Sequence, residues 1–144
     1  MASWSEVETQ APELAALARS LFDGFTHKTL ATLRRDGGPR ISGTEVEFAN
    51  GEAWIGSMWR AVKALDLRRD PRFAIHSGSA NPPDWRGDAK IAGTVEDVTE
   101  PGATSHRFRL DISELVVVRL GEPADHLVIE AWHEGRGVSS RRRT

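Results

Sequence analysis

The stretch from Gly51 to Ser77, GEAWIGSMWRAVKALDLRRDPRFAIHS, constrains this chain more than any other. Glu52 to Ile55 reads as a strand, Gly56-Ser57-Met58 as a small-residue turn, and Arg60 to Arg69 as a helix stopped by Asp70-Pro71. A second strand begins at Phe73. The order places a helix N-terminus beside a hydroxyl and several cations. Such an end holds phosphate readily, because its first N–H groups lack partners and the helix dipole favours an anion. A phosphate held this way most often belongs to a nucleotide-like cofactor.

Strands dominate the rest. Pro12 to Phe25 is the expected N-terminal helix, with Leu14, Leu17, Ala18, Leu21 and Phe22 on one buried face and Gly24 as its stop. Thr29–Leu33 and Arg40–Phe48 read as strands joined by the turn Asp36-Gly37-Gly38-Pro39. In the second, Ile41, Gly43, Glu45 and Glu47 share one face and Ser42, Thr44, Val46 and Phe48 the other. Asn50-Gly51 is a hairpin signal, since both residues tolerate positive φ. Gly78–Gly87, with Asn81-Pro82-Pro83, is a loop; Asp88–Val98, Phe108–Leu120 and Leu127–Trp132 are further strands, the second continuously apolar from Leu115 to Val118. Six to seven antiparallel strands with flanking helices predict a mainly β fold, a closed or nearly closed barrel whose closure removes exposed edges. A β-sandwich is the architectural alternative. Residues 1–134 form the expected single domain, and 135–144 a polar tail ending in Arg141-Arg142-Arg143.

Composition narrows the function classes. A chain of 144 residues supports one core. A net charge of −2 argues against a nucleic-acid partner. No apolar run approaches the ~18 residues of a membrane span, and the N-terminus has no secretory pattern. Without cysteine there is no disulfide framework or thiolate nucleophile. The expected location is cytoplasmic, with neither membrane nor nucleic acid as partner. The five histidines lack metal-ligand spacing, so no metal site is expected. No nucleophile elbow, Walker A run or GxGxxG is present, so a phosphate site must come from a fold other than Rossmann or P-loop.

Lys63 leads the candidate residues. Spacing puts it on one side of its helix with Asp66 and Asp70, opposite Ala61 and Leu65, which by itself describes a solvated face with an i,i+3 ion pair. The phosphate reading draws on Ser57 and Arg60 near the helix start. Glu45 and Glu47 are spaced like two water-facing carboxylates rather than an acid–base pair. Trp54 and Trp132 fall inside strand patterns and read as core, whereas Trp59 and Trp85 fall in expected loops, where an indole suits stacking or an interface. The arginine tail reads as a solubilising end.

Thr29–Arg34, the turn Asp36–Pro39, the following hairpin and Lys63 ahead of Asp70-Pro71-Arg72 together resemble the pyridoxamine 5′-phosphate oxidase-like FMN-binding split barrels, small actinobacterial members included. The resemblance covers roughly Leu14 to Trp132. It implies a homodimer with flavin sites at the subunit interface, acting on a small-molecule substrate. Carried over, Arg40, Ile41, Ser42, Gly43, Thr44 and Glu45 would lie along the FMN. Ile55, Gly56, Ser57, Met58, Trp59 and Arg60 would surround its ribityl phosphate, Lys63 would pair with that phosphate, and Asp88 would lie near the ring. Two departures matter. The oxidases carry an arginine directly before the phosphate lysine, where this chain has Val62. They also carry a substrate-binding lysine where it has Glu45, which argues against pyridoxamine 5′-phosphate as substrate. Coenzyme F-420 is the alternative cofactor, with Arg60, Arg68 and Arg69 as a basic groove for its acidic tail. A non-catalytic flavin or haem binder, with His76 as the axial candidate, is the alternative to an oxidoreductase, and an interaction module without cofactor the third possibility.

Overall fold

Burial alternates with a period of two along the sixteen-residue stretch from Ser105 to Leu120, with one break at Ser113-Glu114, and this long strand organises the sheet. The computed structural model describes residues 1–144. In chain order the elements are α1 (Trp4–Gln10), α2 (Pro12–Asp23), β1 (Lys28–Leu33), β2 (Pro39–Thr44), β3 (Glu47–Ala49), β4 (Glu52–Met58), α3 (Val62–Arg69), β5 (Arg72–His76), β6 (Asp88–Asp97), β7 (Ser105–Leu120), β8 (Leu127–His133) and β9 (Gly137–Arg143). All pairings are antiparallel, in the order β2-β1-β5-β6-β7-β4-β3, with β8 and β9 continuing from the far half of β7.

The sheet curls so that Leu30, Ile55, Phe73, Ile75, Ile91, Phe108, Leu110 and Ile112 face a common interior. The helices α1 and α2 close it with Trp4, Val7, Leu14, Ala18 and Phe22. Each fully buried large side chain contributes about 1.5–3 kcal/mol through the water it sheds. Two local devices shape the curl. Asn50 and Gly51 turn the β3–β4 hairpin with φ of 55° and 75°. At Gly93 the β6–β7 register shifts, and a Cβ there would sit 1.9 Å from the Asp111 carbonyl oxygen, so only glycine admits the close approach.

Several expectations change. The strand expected over Arg40–Phe48 is interrupted after Thr44 and resumes as β3, because its first part pairs with β1 and its second with β4. Strand β4 continues through Gly56, Ser57 and Met58, which pair with Arg107, His106 and Ser105 instead of turning. Helix α1 was not expected; Ser3 caps it, accepting the Glu6 N–H at 3.2 Å, and it buries Trp4 and Val7. The segment read as a polar tail is strand β9, paired residue for residue with β8 and exposed throughout. Trp132 is core as expected, but Trp54 is only half-buried, with Arg107 stacked 4.5 Å above its ring.

Candidate functional site

Helix α3 crosses the open seam of the sheet, and the face it turns toward β2 carries two charges, Lys63 and Asp66, with different surroundings. Strands β2 and β4 approach one another there without ladder pairing. Ala61 is the N-cap and supplies no side-chain acceptor; Ala64 and Leu67 anchor the helix in the core while Val62 and Leu65 face outward.

On this face Asp66 is only 2% exposed, correcting the expected solvated face. Its carboxylate accepts from Thr32 Oγ1 at 2.8 Å, Arg40 Nε at 2.7 Å and Arg69 Nη2 at 3.0 Å. Burial pushes this carboxyl up, but the hydrogen bonds from Arg40, Thr32 and Arg69 outweigh it and hold the group below its ordinary value. Arg40 therefore belongs to this closed network beneath the helix.

One turn nearer the helix N-terminus, Lys63 borders a groove of about 620 Å³, lined also by His27, Gly43, Thr44, Glu45, Gly56, Ser57, Met58 and Ser105. The Lys63 amine spans the seam and donates to the Gly43 carbonyl at 2.5 Å. Gly43 and Gly56 leave the walls bare: a Cβ on Gly43 would meet nothing within 4 Å, and one on Gly56 only the His106 carbonyl at 3.7 Å. Ile41, Met58, Trp59, Val62 and Leu65 are exposed large apolar residues on the strands and helix that frame this seam. A polar slot with a cation that has no ion-pair partner and an apolar surround matches an amphipathic anion: a phosphate at one end, a flat hydrophobic body at the other.

The groove thus gathers Gly43, Thr44, Glu45, Gly56, Ser57, Met58 and Lys63 from the expected set. It leaves out Arg40, held by Asp66; Ile41, on the exposed outer face of β2; Ser42, whose buried hydroxyl has no partner; and Ile55, in the core. Trp59 and Arg60 belong to the turn above it. His27 and Ser105 were missed, since they reach the groove only through the pairing of β1 with β2 and of β7 with β4.

Asp88 stands elsewhere on the same outer surface. Cross-strand partners run Gly43, Thr29, His76, Lys90, Val116 and Ala131 across β2-β1-β5-β6-β7-β8, one residue per strand on a single face. At about 4.8 Å per strand, His76 lies roughly 10 Å from Gly43. Asp88 Oδ2 is 3.9 Å from His76 Nε2, and Asp88 Oδ1 accepts from the Trp85 indole at 3.1 Å. His76 Nδ1 lies 2.6 Å from the Ser77 carbonyl, which makes that nitrogen the protonated one. Further along, Val116, Val118, Leu127, Ile129 and Ala131 floor a depression of about 590 Å³ rimmed by Lys90, Arg141 and Arg143.

A third constellation joins β4, β7 and the turn into α3. His106 is 1% exposed, and its ring stacks on Trp59 at 4.6 Å and 10°. Its Nε2 accepts the Arg60 N–H at 3.0 Å, while its Nδ1 has no partner.

No family model matches the sequence, and no curated protein matches it. Solved structures do. A pyridoxamine 5′-phosphate oxidase-related, FMN-binding protein from Nostoc punctiforme aligns over 100% of this chain and 98% of its own, with TM-score 0.65 and 15% identity. A haem-binding protein from Mycobacterium smegmatis aligns over 90% of this chain and 87% of its own, with TM-score 0.60 and 15% identity. An F-420 reductase aligns over 67% of this chain and 94% of its own, with TM-score 0.55 and 18% identity. The curled antiparallel sheet, its open seam and these alignments identify the fold as the split β-barrel of the pyridoxamine 5′-phosphate oxidase-like proteins.

Proposed function

We propose that the chain is a cytoplasmic flavin-binding oxidoreductase. In this reading it holds FMN with the phosphate in the β2–β4 groove and transfers hydride to or from a small organic substrate. One observation carries the reading: Lys63 spans the groove with a backbone carbonyl as its hydrogen-bond partner, beside the hydroxyls of Ser57 and Ser105. A phosphate entering there gives the ammonium an opposite charge in place of a carbonyl dipole. When bound, the flavin supplies the hydride chemistry, and the protein contributes position and electrostatics. The bare walls at Gly43 and Gly56 admit the ligand, and the exposed apolar residues around the seam suit a flat ring.

FMN is favoured over coenzyme F-420 because the basic groove that an acidic tail needs is already spent. Arg68 pairs with Asp97 at 2.8 Å and Arg69 with Asp66 at 3.0 Å, leaving Arg60 alone of the three without an ion pair. Glu45 lines the groove, and its charge opposes a substrate that brings a second phosphate, so pyridoxamine 5′-phosphate is not the substrate. The working unit is a homodimer. Strand β7 is apolar on both faces from Leu115 to Val118, a pattern of strands covered on both sides, and the outer floor of Val116, Val118 and Ile129 is only half covered within one chain.

Titration of the purified protein with FMN, followed by flavin fluorescence, tests the cofactor. Saturable binding at micromolar concentration or tighter, with the flavin reduced by an added hydride donor and reoxidised by substrate, is expected. Absence of FMN binding, with a Soret band or deazaflavin absorbance instead, discards it. Light scattering at micromolar concentration is expected to give twice the chain mass.

A further inference from the structure

We propose that His106 is the positioning residue of this site: it holds the turn that sets Lys63 across the groove. The inference rests on the phosphate-binding reading above and deepens it. The turn from Met58 to Ala61 closes with the Ala61 N–H on the Met58 carbonyl at 3.0 Å, and Arg60 occupies its third position at φ 61°. That position requires positive φ and ordinarily carries glycine, so an arginine there needs an outside restraint. His106 supplies that restraint. His106 Nε2 accepts the Arg60 N–H at 3.0 Å, and the Trp59 indole lies flat on the imidazole, 4.6 Å between centroids. Two consecutive turn residues are therefore tied to one buried side chain on β7. Lys63 follows Arg60 by three residues, and the conformation of the turn fixes where α3 starts and where the Lys63 amine reaches.

The same geometry sets the protonation of the ring. Nε2 faces a donor and must be the acceptor, so in the neutral ring the proton sits on Nδ1, the buried nitrogen without a partner. A side chain selected only to fill space would carry no unpaired donor there. Phenylalanine would fill the same space and stack on Trp59 without one.

Three measurements test the assignment. Nitrogen-15 NMR of histidine-labelled protein is expected to show the Nδ1–H tautomer for His106; an Nε2–H ring or a doubly protonated ring at neutral pH would overturn the assignment without any variant. His106→Phe keeps the ring stack and removes the acceptor, and FMN affinity is expected to fall roughly three- to tenfold, the worth of a net hydrogen bond. His106→Gln restores an acceptor but not the stack, and its affinity is expected to fall less than that of His106→Phe. Equal affinity in parent and His106→Phe, or equal loss in both variants, would sink the positioning role. If the parent itself binds no FMN, the cofactor reading fails instead, and the tautomer still decides the turn restraint.

Discussion

Helix α3 presents two charged sites that look alike in sequence and behave oppositely in space. Asp66, buried, is saturated by Thr32, Arg40 and Arg69. Lys63, three residues earlier, extends to a carbonyl in an open groove. A closed network spends its charges on one another and serves stability, whereas an unspent charge beside empty volume is free to meet a ligand. The same comparison separates the arginines: Arg40, Arg68 and Arg69 are each ion-paired with a carboxylate of the chain, as Lys63 is not.

The contrast can be broken most sharply at Asp66. Asp66→Ala leaves two partly buried guanidinium groups and a threonine without their acceptor, and a loss of about 3 kcal/mol is expected, tempered by the partial exposure of both arginines. Urea denaturation measures it; a midpoint unchanged from the parent would mean the network is ornamental. The loss should lower Tm by roughly 10 °C. Lys63→Ala is the mirror experiment. FMN affinity is expected to fall roughly 10- to 150-fold, the worth of about 1.5–3 kcal/mol for a charge-assisted contact, with little change in the urea midpoint. A Lys63→Ala variant that loses stability but not affinity would reverse the roles assigned to the two residues.

Smaller effects sharpen the same division. Glu45→Gln removes a like charge from the groove, and FMN affinity is expected to rise about fivefold, the Coulomb cost of one charge at ~4 Å in water. Isothermal titration at low and high salt would show the gain shrinking as screening increases. Arg60→Gly relieves the left-handed turn and is expected to stabilise the protein by about 0.5–1 kcal/mol. No gain by thermal denaturation would mean that the turn is unstrained.

Acid should discriminate too. The folded-state values of Asp66, Asp70 and Asp97 all lie below the ordinary 3.8, with Asp70 held at about 2 by its hydrogen bonds from Arg72. A lowered carboxyl contributes stability that is fully present above its unfolded value and disappears as pH falls through the folded one. Stability is therefore expected to hold from neutral pH to about 5 and to decline between about 4 and 2. Asp66→Asn should flatten that decline in pH-dependent urea titrations.

Much of the fold was legible along the chain because its signals are local. Two-residue alternation marks β1, β6 and β7, the Asn50-Gly51 pair marks a hairpin, and three-four spacing marks α2. These depend on backbone sterics and on which side of a single element is apolar. Helix α1 and strand β9 escaped because each is short or polar and stands only by contact: Trp4 and Val7 are buried by the barrel, and β9 is held by its ladder to β8. The groove was partly legible, since Gly43–Glu45, Gly56–Met58 and Lys63 lie close to one another along the chain. Which faces of α3 were wet or dry was not. Helical spacing groups Lys63 with Asp66, but only the packing of β1 and β2 beneath α3 brings Thr32 and Arg40 to the carboxylate and turns it inward. Sequence alone thus determined the alternation, the turns and the candidate lysine, all consequences of neighbours a few residues apart. Tertiary structure decided which charges are spent, because the partner of Asp66 is 34 residues away in Thr32 and that of Arg60 is 46 residues away in His106.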